Sequence, residues 1–436
     1  LYGKFVRPAI GHLPLVISHW SGDNASNTNT GAAHTTNDQE TNDQVTIDQV
    51  TAFVYRAPHS YTGEDVVEFG CHGGVIVAHE IVEALIDAGA RHAEAGEFTK
   101  RAFLNRKLDL TQAEAVGDII HAVSKQGSHA AARQLMGGFT RRLADLREKL
   151  LELCGLLELE LDFSQEDIEL IDKNVMAARI QEAREYCMEL ASAHRSSEIL
   201  RSGYSIGIVG YPNAGKSSLL NTLLGKNRAI VSEIAGTTRD YIEETVQFGS
   251  VAVRLVDTAG FRSSADVIEF AGIQLAEKLL EECHLILVLN DISEGETHSM
   301  PLLDDLRKKF PNSEFALIHT KSDLLNTSID ASFNGVLRIS STKGDGIRDL
   351  RKFIEHKAES AVSTVSDALI NARQAALLHQ AASSLAKANE AIRRGESNEF
   401  AAIDLREALK RIGEITGEVW NEEILNSVFA KFCIGK

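Results

Sequence analysis

Apolar residues along this chain keep two different rhythms. Between Leu110 and Ser202, Leu143, Leu146, Leu150, Leu153, Leu157 and Leu161 recur every three or four positions with charges between them, the stripe of an amphipathic helix that buries one face. The same rhythm returns from about Asp367, through Leu377, Leu385, Ala388, Ile392, Leu405, Leu409, Ile412 and Ile415. Pro8, Pro14, Pro58, Pro212, Pro301 and Pro311 all lie outside these two stretches, so neither holds a residue that breaks a helical ladder. Two separate half-bundles would each leave an apolar face in water. One all-α helical domain, split by an insertion, is the economical arrangement.

Between the helical stretches the rhythm changes to short unbroken apolar runs, SIGIVG from Ser205, VAVRLV from Val251, LILVL from Leu285 and ALI from Ala316. Such runs predict strands buried on both faces of a mostly parallel sheet. Before the first helical stretch, Phe53, Val54, Tyr55, Val66, Val67 and Phe69 predict short strands, and Val75 to Ala88 a helix. Residues from about 22 to 49 are rich in Asn, Thr and Asp and predict a loop with too little to bury. The expected fold is therefore multidomain: an α+β N-terminal domain over 1–105, an all-α helical domain over 106–200 and 365–436, and an inserted α/β domain with a mostly parallel sheet over 201–364.

Bulk properties narrow the partners. With 436 residues, each of several domains can bury its own core, and no apolar run reaches the roughly 20 residues that span a bilayer, so no membrane partner is expected. The five cysteines show no CxxC pair, which suits a reducing cytoplasm, with the mitochondrion left open. A formal charge of -17 repels phosphate on average, so a nucleic-acid partner must be held by a local basic patch.

The strand at Ser205–Gly210 runs into Gly210-Tyr-Pro-Asn-Ala-Gly215-Lys216-Ser217 and then into the helical SLLNTLLG, the context a phosphate-binding loop requires. Backbone amides around Asn213, Ala214 and Gly215 close on phosphates, Lys216 reaches the β- and γ-phosphates, Ser217 offers its hydroxyl to Mg²⁺, and Ser218 continues the helix start. Gly236-Thr-Thr-Arg-Asp240 and Asp257-Thr-Ala-Gly260 follow in order. In this order Thr237 and Thr238 meet the nucleotide, Thr238 completing the Mg²⁺ shell, while Asp257 holds that ion through water and the Gly260 amide, after Thr258 and Ala259, contacts the γ-phosphate. Downstream, Thr320, Lys321 and Asp323 read guanine, and Ser340, Ser341 and Thr342 close the loop over the base. Thr320 stands where that base-reading motif usually has Asn. These linked motifs make the inserted α/β domain over 201–364 a P-loop G domain, with GTP and GDP as the expected ligands.

Further segments, Ser60-Tyr-Thr-Gly-Glu-Asp65, His72-Gly-Gly74, Gly96-Glu-Phe-Thr-Lys-Arg-Ala-Phe-Leu104, Lys107-Leu-Asp-Leu-Thr-Gln-Ala-Glu114, Ile415-Thr-Gly-Glu418 and Cys433-Ile-Gly-Lys436, resemble the bacterial and mitochondrial tRNA-modification GTPase family called MnmE or TrmE. The resemblance implies a homodimer that binds 5-formyltetrahydrofolate and works with a FAD-dependent MnmG-type protein in a heterotetramer. GTP hydrolysis then drives modification at C5 of the wobble uridine, position 34, of certain tRNAs. It implies that Glu269 orients the attacking water, since Phe261 and Arg262 stand where Ras-type enzymes have Gln. It also implies a K⁺ ion held by Asn213, Ser232, Ile234 and Thr237, in a nucleotide-contacting loop that includes Glu233, Ala235 and Gly236, and G-domain pairing across that ion. Folate ligands by resemblance are Glu68, Lys107 and Lys436. The opening residues do not match the family's usual first strand, and Ala95 and Arg106 replace a customary Pro and Gly.

Other features carry less. Cys433 is expected to pack at a chain end, Cys71, His72 and His79 lack a fourth metal ligand, and the basic groups at Lys100–Lys107 and Arg393–Arg394 are candidates only for phosphate contact. Two other functional classes remain: an RNA-binding ribosome-assembly GTPase switch without modification chemistry of its own, and a folate-dependent transferase regulated by GTP.

Overall fold

The computed structural model describes residues 12–14, 47–162, 172–225, 243–257, 277–324, 332–333, 336–362, 369–430 and 432. The expected loop at 22–49 lies almost wholly outside them, as do Cys433 and Lys436. By compactness the chain divides into one unit of Leu1–Gly117 with Gly413–Lys436, and a second of Asp118–Ile412.

In the first unit, β1 (His12–Pro14), β2 (Gln49–Tyr55) and β3 (Val66–Gly70) form an antiparallel sheet in that order. Helices α1 (Val75–Asp87), α2 (Glu97–Leu104) and α3 (Leu110–His121) follow. Near the chain end, α12 (Asn398–Thr416) enters this unit and α13 (Glu422–Phe429) completes it. The Asn421 side chain accepts from the Ile424 amide and so starts α13. Its apolar face puts Leu425, Val428 and Phe429 into one core with Phe103, Leu110, Ala113 and Phe432.

Helix α2 ends in a Schellman motif, with the Lys107 amide on the Ala102 carbonyl at 2.8 Å and the Arg106 amide on the Phe103 carbonyl at 2.9 Å. The motif needs a left-handed residue after the cap, and Arg106 supplies it at φ 56°. The family's customary Gly at this place has a conformational cause: only Gly adopts that φ without a Cβ penalty.

The second unit joins helices to a seven-stranded sheet. Helices α4 (Lys125–Leu135), α5 (Gly138–Asp162), α6 (Lys173–Ser192) and α7 (His194–Ser202) precede the sheet, and α11 (Ala372–Arg394) follows it. Leu143, Leu146, Leu150, Leu153 and Leu157 are buried on α5, with Leu161 half-buried near its end. Helix α11 packs along α6, where the Asn389 amide donates to Gln181 at 3.1 Å. The two helical stretches therefore bury each other's apolar stripes.

The sheet runs β5 (Glu243–Phe248), β6 (Val251–Asp257), β4 (Tyr204–Gly210), β7 (Leu285–Asp291), β8 (Glu314–Thr320), β10 (Val336–Arg338), β9 (Ser332–Phe333). Its central pairs are parallel and its two edge pairs antiparallel. The unbroken apolar text of β7 has a direct cause: Leu285, Leu287 and Leu289 face one core, while Ile286 and Val288 face the other. Helices α8 (Lys216–Leu224) and α10 (Ile347–Val362) cover the first face, and α9 (Met300–Lys309) the second.

Where the chain leaves and re-enters the helices it is clamped. The Arg201 guanidinium pairs with Asp118 at 2.7 Å and donates to the carbonyls of Leu369 and Ile370. Gln134 and Ser197 accept the amides of Leu369 and Ile370 at 3.0 and 2.9 Å. The crossing backbone thus has its hydrogen bonds satisfied although Leu369 and Ile370 are buried.

Candidate functional site

Strand order reverses direction at β4, which has β6 on one side and β7 on the other. In parallel sheets the crevice beyond the carboxyl ends at such a switch point is where ligands bind, and the loop after β4 lies there.

That loop is shaped by backbone freedom. Gly215 has φ 90° and Asn213 φ 65°, both left-handed; Asn tolerates this better than most residues. A Cβ at Gly210 would stand 3.0 Å from the Leu289 carbonyl oxygen, a crowded approach that Gly relieves. Lys216 opens α8 and folds back across the loop, its ammonium donating to the carbonyls of Gly210 at 3.0 Å and Tyr211 at 2.9 Å. Ser217 and Ser218 are exposed in the first turn of α8, among amides that have no partner within the helix. The Tyr211 ring lies against His298, centroids 4.9 Å apart.

A second cluster stands at the end of β8. Thr320 is buried, and its hydroxyl donates to the Ala214 carbonyl at 2.8 Å, with the Asn290 carbonyl at 3.3 Å. This residue ties the loop after β4 to β8. Lys321, at φ 57°, pairs with Asp291 of β7 at 2.5 Å. Burial works against the Asp291 charge, but hydrogen bonds from Lys321 and Ser293 outweigh it and hold the carboxyl below its usual pKa. The Ser340 hydroxyl donates to Asp323 at 2.6 Å, which lowers the pKa of that carboxyl. Asp323 is therefore a fixed anion with one oxygen already held. Ser340 also lies 3.0 Å from the Thr342 hydroxyl and accepts the Lys343 amide. The Ser341 carbonyl accepts from Thr222 of α8 at 3.5 Å.

The described site residues thus gather on two neighbouring loops and one bridge: Asn213 to Ser218, Thr320 to Asp323, and Ser340 to Thr342. Asp257 closes β6, its backbone beside Ile208 of β4. Ser232, Glu233, Ile234, Ala235, Gly236, Thr237, Thr238, Thr258, Ala259, Gly260 and Glu269 lie outside the described residues. So does Lys436, one of three folate candidates. Of the other two, Glu68 sits on β3 opposite Phe53, and the Lys107 ammonium donates to the Pro58 carbonyl at 3.0 Å.

Three contributors were not anticipated from sequence. Asp291 orients Lys321; its signal was a carboxylate at a parallel strand's carboxyl end. Arg351 of α10 caps α8 by donating to the carbonyls of Thr222 and Leu223. Asn290 joins β7 to β8 through its amide, 3.0 Å from His319 Nδ1. Neither of the last two has a motif, because each is defined by a partner distant in sequence.

Residues 14–107 match the family model of the GTP-binding protein TrmE N-terminus, and residues 110–433 that of the MnmE helical domain. Among curated proteins, the tRNA modification GTPase MnmE of Chlorobium luteolum is 41% identical over 395 residues, covering 88% of this chain and 84% of its own. The MnmE proteins of Salinibacter ruber and Aquifex aeolicus are 40% and 41% identical, again over 88% of this chain and 86% and 85% of theirs. A solved structure of Era with MgGDPNP and a 16S ribosomal RNA fragment is 28% identical, covering 35% of this chain and 56% of that one, with a TM-score of 0.28. Matched by family models along nearly its whole described length, the chain belongs to the MnmE family of tRNA-modification GTPases.

Proposed function

We propose that this chain hydrolyses GTP and spends the resulting conformational cycle on modifying C5 of the wobble uridine, position 34, of certain tRNAs, together with a FAD-dependent MnmG-type partner. The observation that carries the nucleotide half is the Thr320–Ala214 hydrogen bond, which couples a phosphate-type loop to a base-reading cluster at adjacent strand ends. Asp323, anchored by Ser340, has an oxygen left to accept from the N1–H and 2-amino group of guanine; adenine has neither, its amine standing at C6 and its N1 being an acceptor. Lys321, held by Asp291, would flank the base. Lys216 and the amides of Asn213 to Ser218 bind and orient the phosphates.

The donor set suits hard cations: an exposed Ser217 hydroxyl at a helix start and a carboxylate position, Asp257, at the end of the neighbouring strand. Ser217 and Thr238 would hold Mg²⁺, and Asn213, Ser232, Ile234 and Thr237 would hold K⁺. These cations supply charge neutralisation between the β- and γ-phosphates. Glu269 orients the water, while Gly236, Gly260 and their neighbours Glu233, Ala235, Thr258 and Ala259 complete the envelope. The two G domains of a homodimer pair over this site. Equal turnover in NaCl and KCl, or unchanged turnover in Asn213→Ala, refutes the K⁺ role; unchanged single-turnover hydrolysis in Glu269→Ala refutes the water role.

The domain division we favour is 1–105, 106–200 with 365–436, and 201–364. Folate binding by Glu68, Lys107 and Lys436 draws support from the Ser60 hydroxyl, buried without a hydrogen-bond partner among the described residues, in the run that follows the carbonyl held by Lys107. A polar ligand would satisfy it. Calorimetry with 5-formyltetrahydrofolate tests this; no binding to the full chain refutes it. Wobble-uridine mass spectrometry of tRNA from cells lacking the gene tests the whole reading, and unaltered uridine would favour the ribosome-assembly switch. A cytoplasmic or mitochondrial compartment suits the partners.

A further inference from the structure

Four of the basic groups that the sequence offered for RNA contact have partners within the fold. Arg101 pairs with Glu64 and Glu97, Lys107 donates to Pro58, Lys100 to Asn426, and Arg394 pairs with Glu390. A different stretch stands out. Residues 119–144 contain no Asp or Glu, in a chain with 62 acidic residues among 436, yet they include Lys125, Arg133, Arg141 and Arg142. At the chain's average of one acid in seven residues, three or four would be expected there. The stretch forms the last residues of α3, then α4, the turn at Gly137 and the start of α5.

The fold concentrates this charge. Lys125, His129 and Arg133 repeat every four residues along one exposed face of α4, and Arg141 continues it onto α5. Arg133, Arg141 and Arg142 line a concavity of about 410 Å³ with Met136, whose side chain is 78% exposed. Arg133 also borders a second concavity of about 530 Å³, with Gln126, His129 and Ser250. On that side Glu359 is present, its carboxylate accepting from the Ser250 hydroxyl at 3.1 Å. Arg141 donates through Nε to the Gly137 carbonyl at 3.3 Å, which helps to orient its guanidinium.

We propose that this α4–α5 corner grips the phosphodiester backbone of the RNA substrate, with Arg133 and Arg141 as phosphate contacts and Met136 lying against sugar or base. The proposal rests on the tRNA-modification reading. A planar guanidinium matches phosphate in two-point fashion, and a flexible thioether adapts to irregular apolar surface. Positioning contacts of this kind carry no base specificity, so the corner serves any tRNA of the right shape.

The test is binding of unmodified tRNA to the full chain across a salt series. Each lost phosphate contact makes the slope of log K against log salt less negative by about 0.7–0.9. The double variant Arg133→Gln/Arg141→Gln is expected to bind about tenfold more weakly at ~0.1 M salt, with the slope reduced by about 1.4–1.8. Arg133→Lys/Arg141→Lys should keep the slope, and Arg393→Gln/Arg394→Gln should change nothing. GDP affinity reports folding, and the single variant Arg141→Gln covers a double variant that fails to fold. Wild-type affinity and slope in the Gln variants overturn the inference alone. A wild-type chain that ignores tRNA overturns the reading beneath it.

Discussion

Replacing Thr320 by Val keeps its shape and deletes one hydroxyl. In the fold that hydroxyl is buried and donates at 2.8 Å to the carbonyl of Ala214, itself buried in the loop after β4. Both residues are only 2% exposed. A typical hydrogen bond contributes about 0.5–1.5 kcal/mol, and leaving a buried acceptor unmet costs about 1–3 kcal/mol. We take about 1–2 kcal/mol as the loss of loop order that nucleotide binding must restore, which is roughly a 5- to 30-fold rise in the Kd for GDP. Titration with a fluorescent GDP analogue in Mg²⁺ measures it, and displacement kinetics should place most of the change in the off-rate. Thr320→Ser, which restores the donor, should recover affinity to within about threefold. A Thr320→Val protein that binds GDP within twofold of wild type would refute the coupling between the two loops.

Arg106→Gly removes the left-handed cost of about 1–2 kcal/mol, less about 0.5–1 kcal/mol for a more flexible unfolded chain. Hydrogen exchange at the Lys107 amide, bonded to Ala102, should slow about two- to fivefold; faster exchange would count against the strain. At Gly346, φ is 70° and a Cβ would stand 2.0 Å from the Arg338 carbonyl oxygen. Gly346→Ala should therefore destabilise the base loop by more than ~3 kcal/mol and abolish GDP retention on a desalting column. Burial lowers the His284 pKa to about 4, and its Nδ1 accepts the Ser205 amide at 3.1 Å. The unfolded chain binds that proton near pH 6.5 and the folded one only near 4, so stability should fall as pH drops through this window. His284→Asn, which keeps an acceptor, should flatten the fall in urea midpoints between pH 6.5 and 4; an identical profile would exclude His284 as its source.

How much was legible in the text depended on whether the cause was local. The phosphate loop was legible because its glycines, its lysine and the strand before it must be consecutive for amides to surround a phosphate. The strands of the sheet were legible because burial on both faces demands unbroken apolar runs such as LILVL. Helix α5 was legible because a stripe every three or four residues has one cheap conformation. Lys321 could be named, but its partner Asp291 could not, since the pair forms only when β7 and β8 lie side by side in parallel.

Sequence alone determined the order of the elements, the nucleotide class of the site and the helical partnership across the insertion, because each is encoded by periodicity or by contiguous motif. Only the tertiary structure decided what Thr320 does in place of the usual Asn, that Arg106 takes a left-handed conformation that suits Gly, and which partners hold Arg101 and Arg201. Those answers depend on distances between residues far apart in the chain. Hydrogen bonds and ion pairs set by such distances leave no pattern in a one-dimensional text.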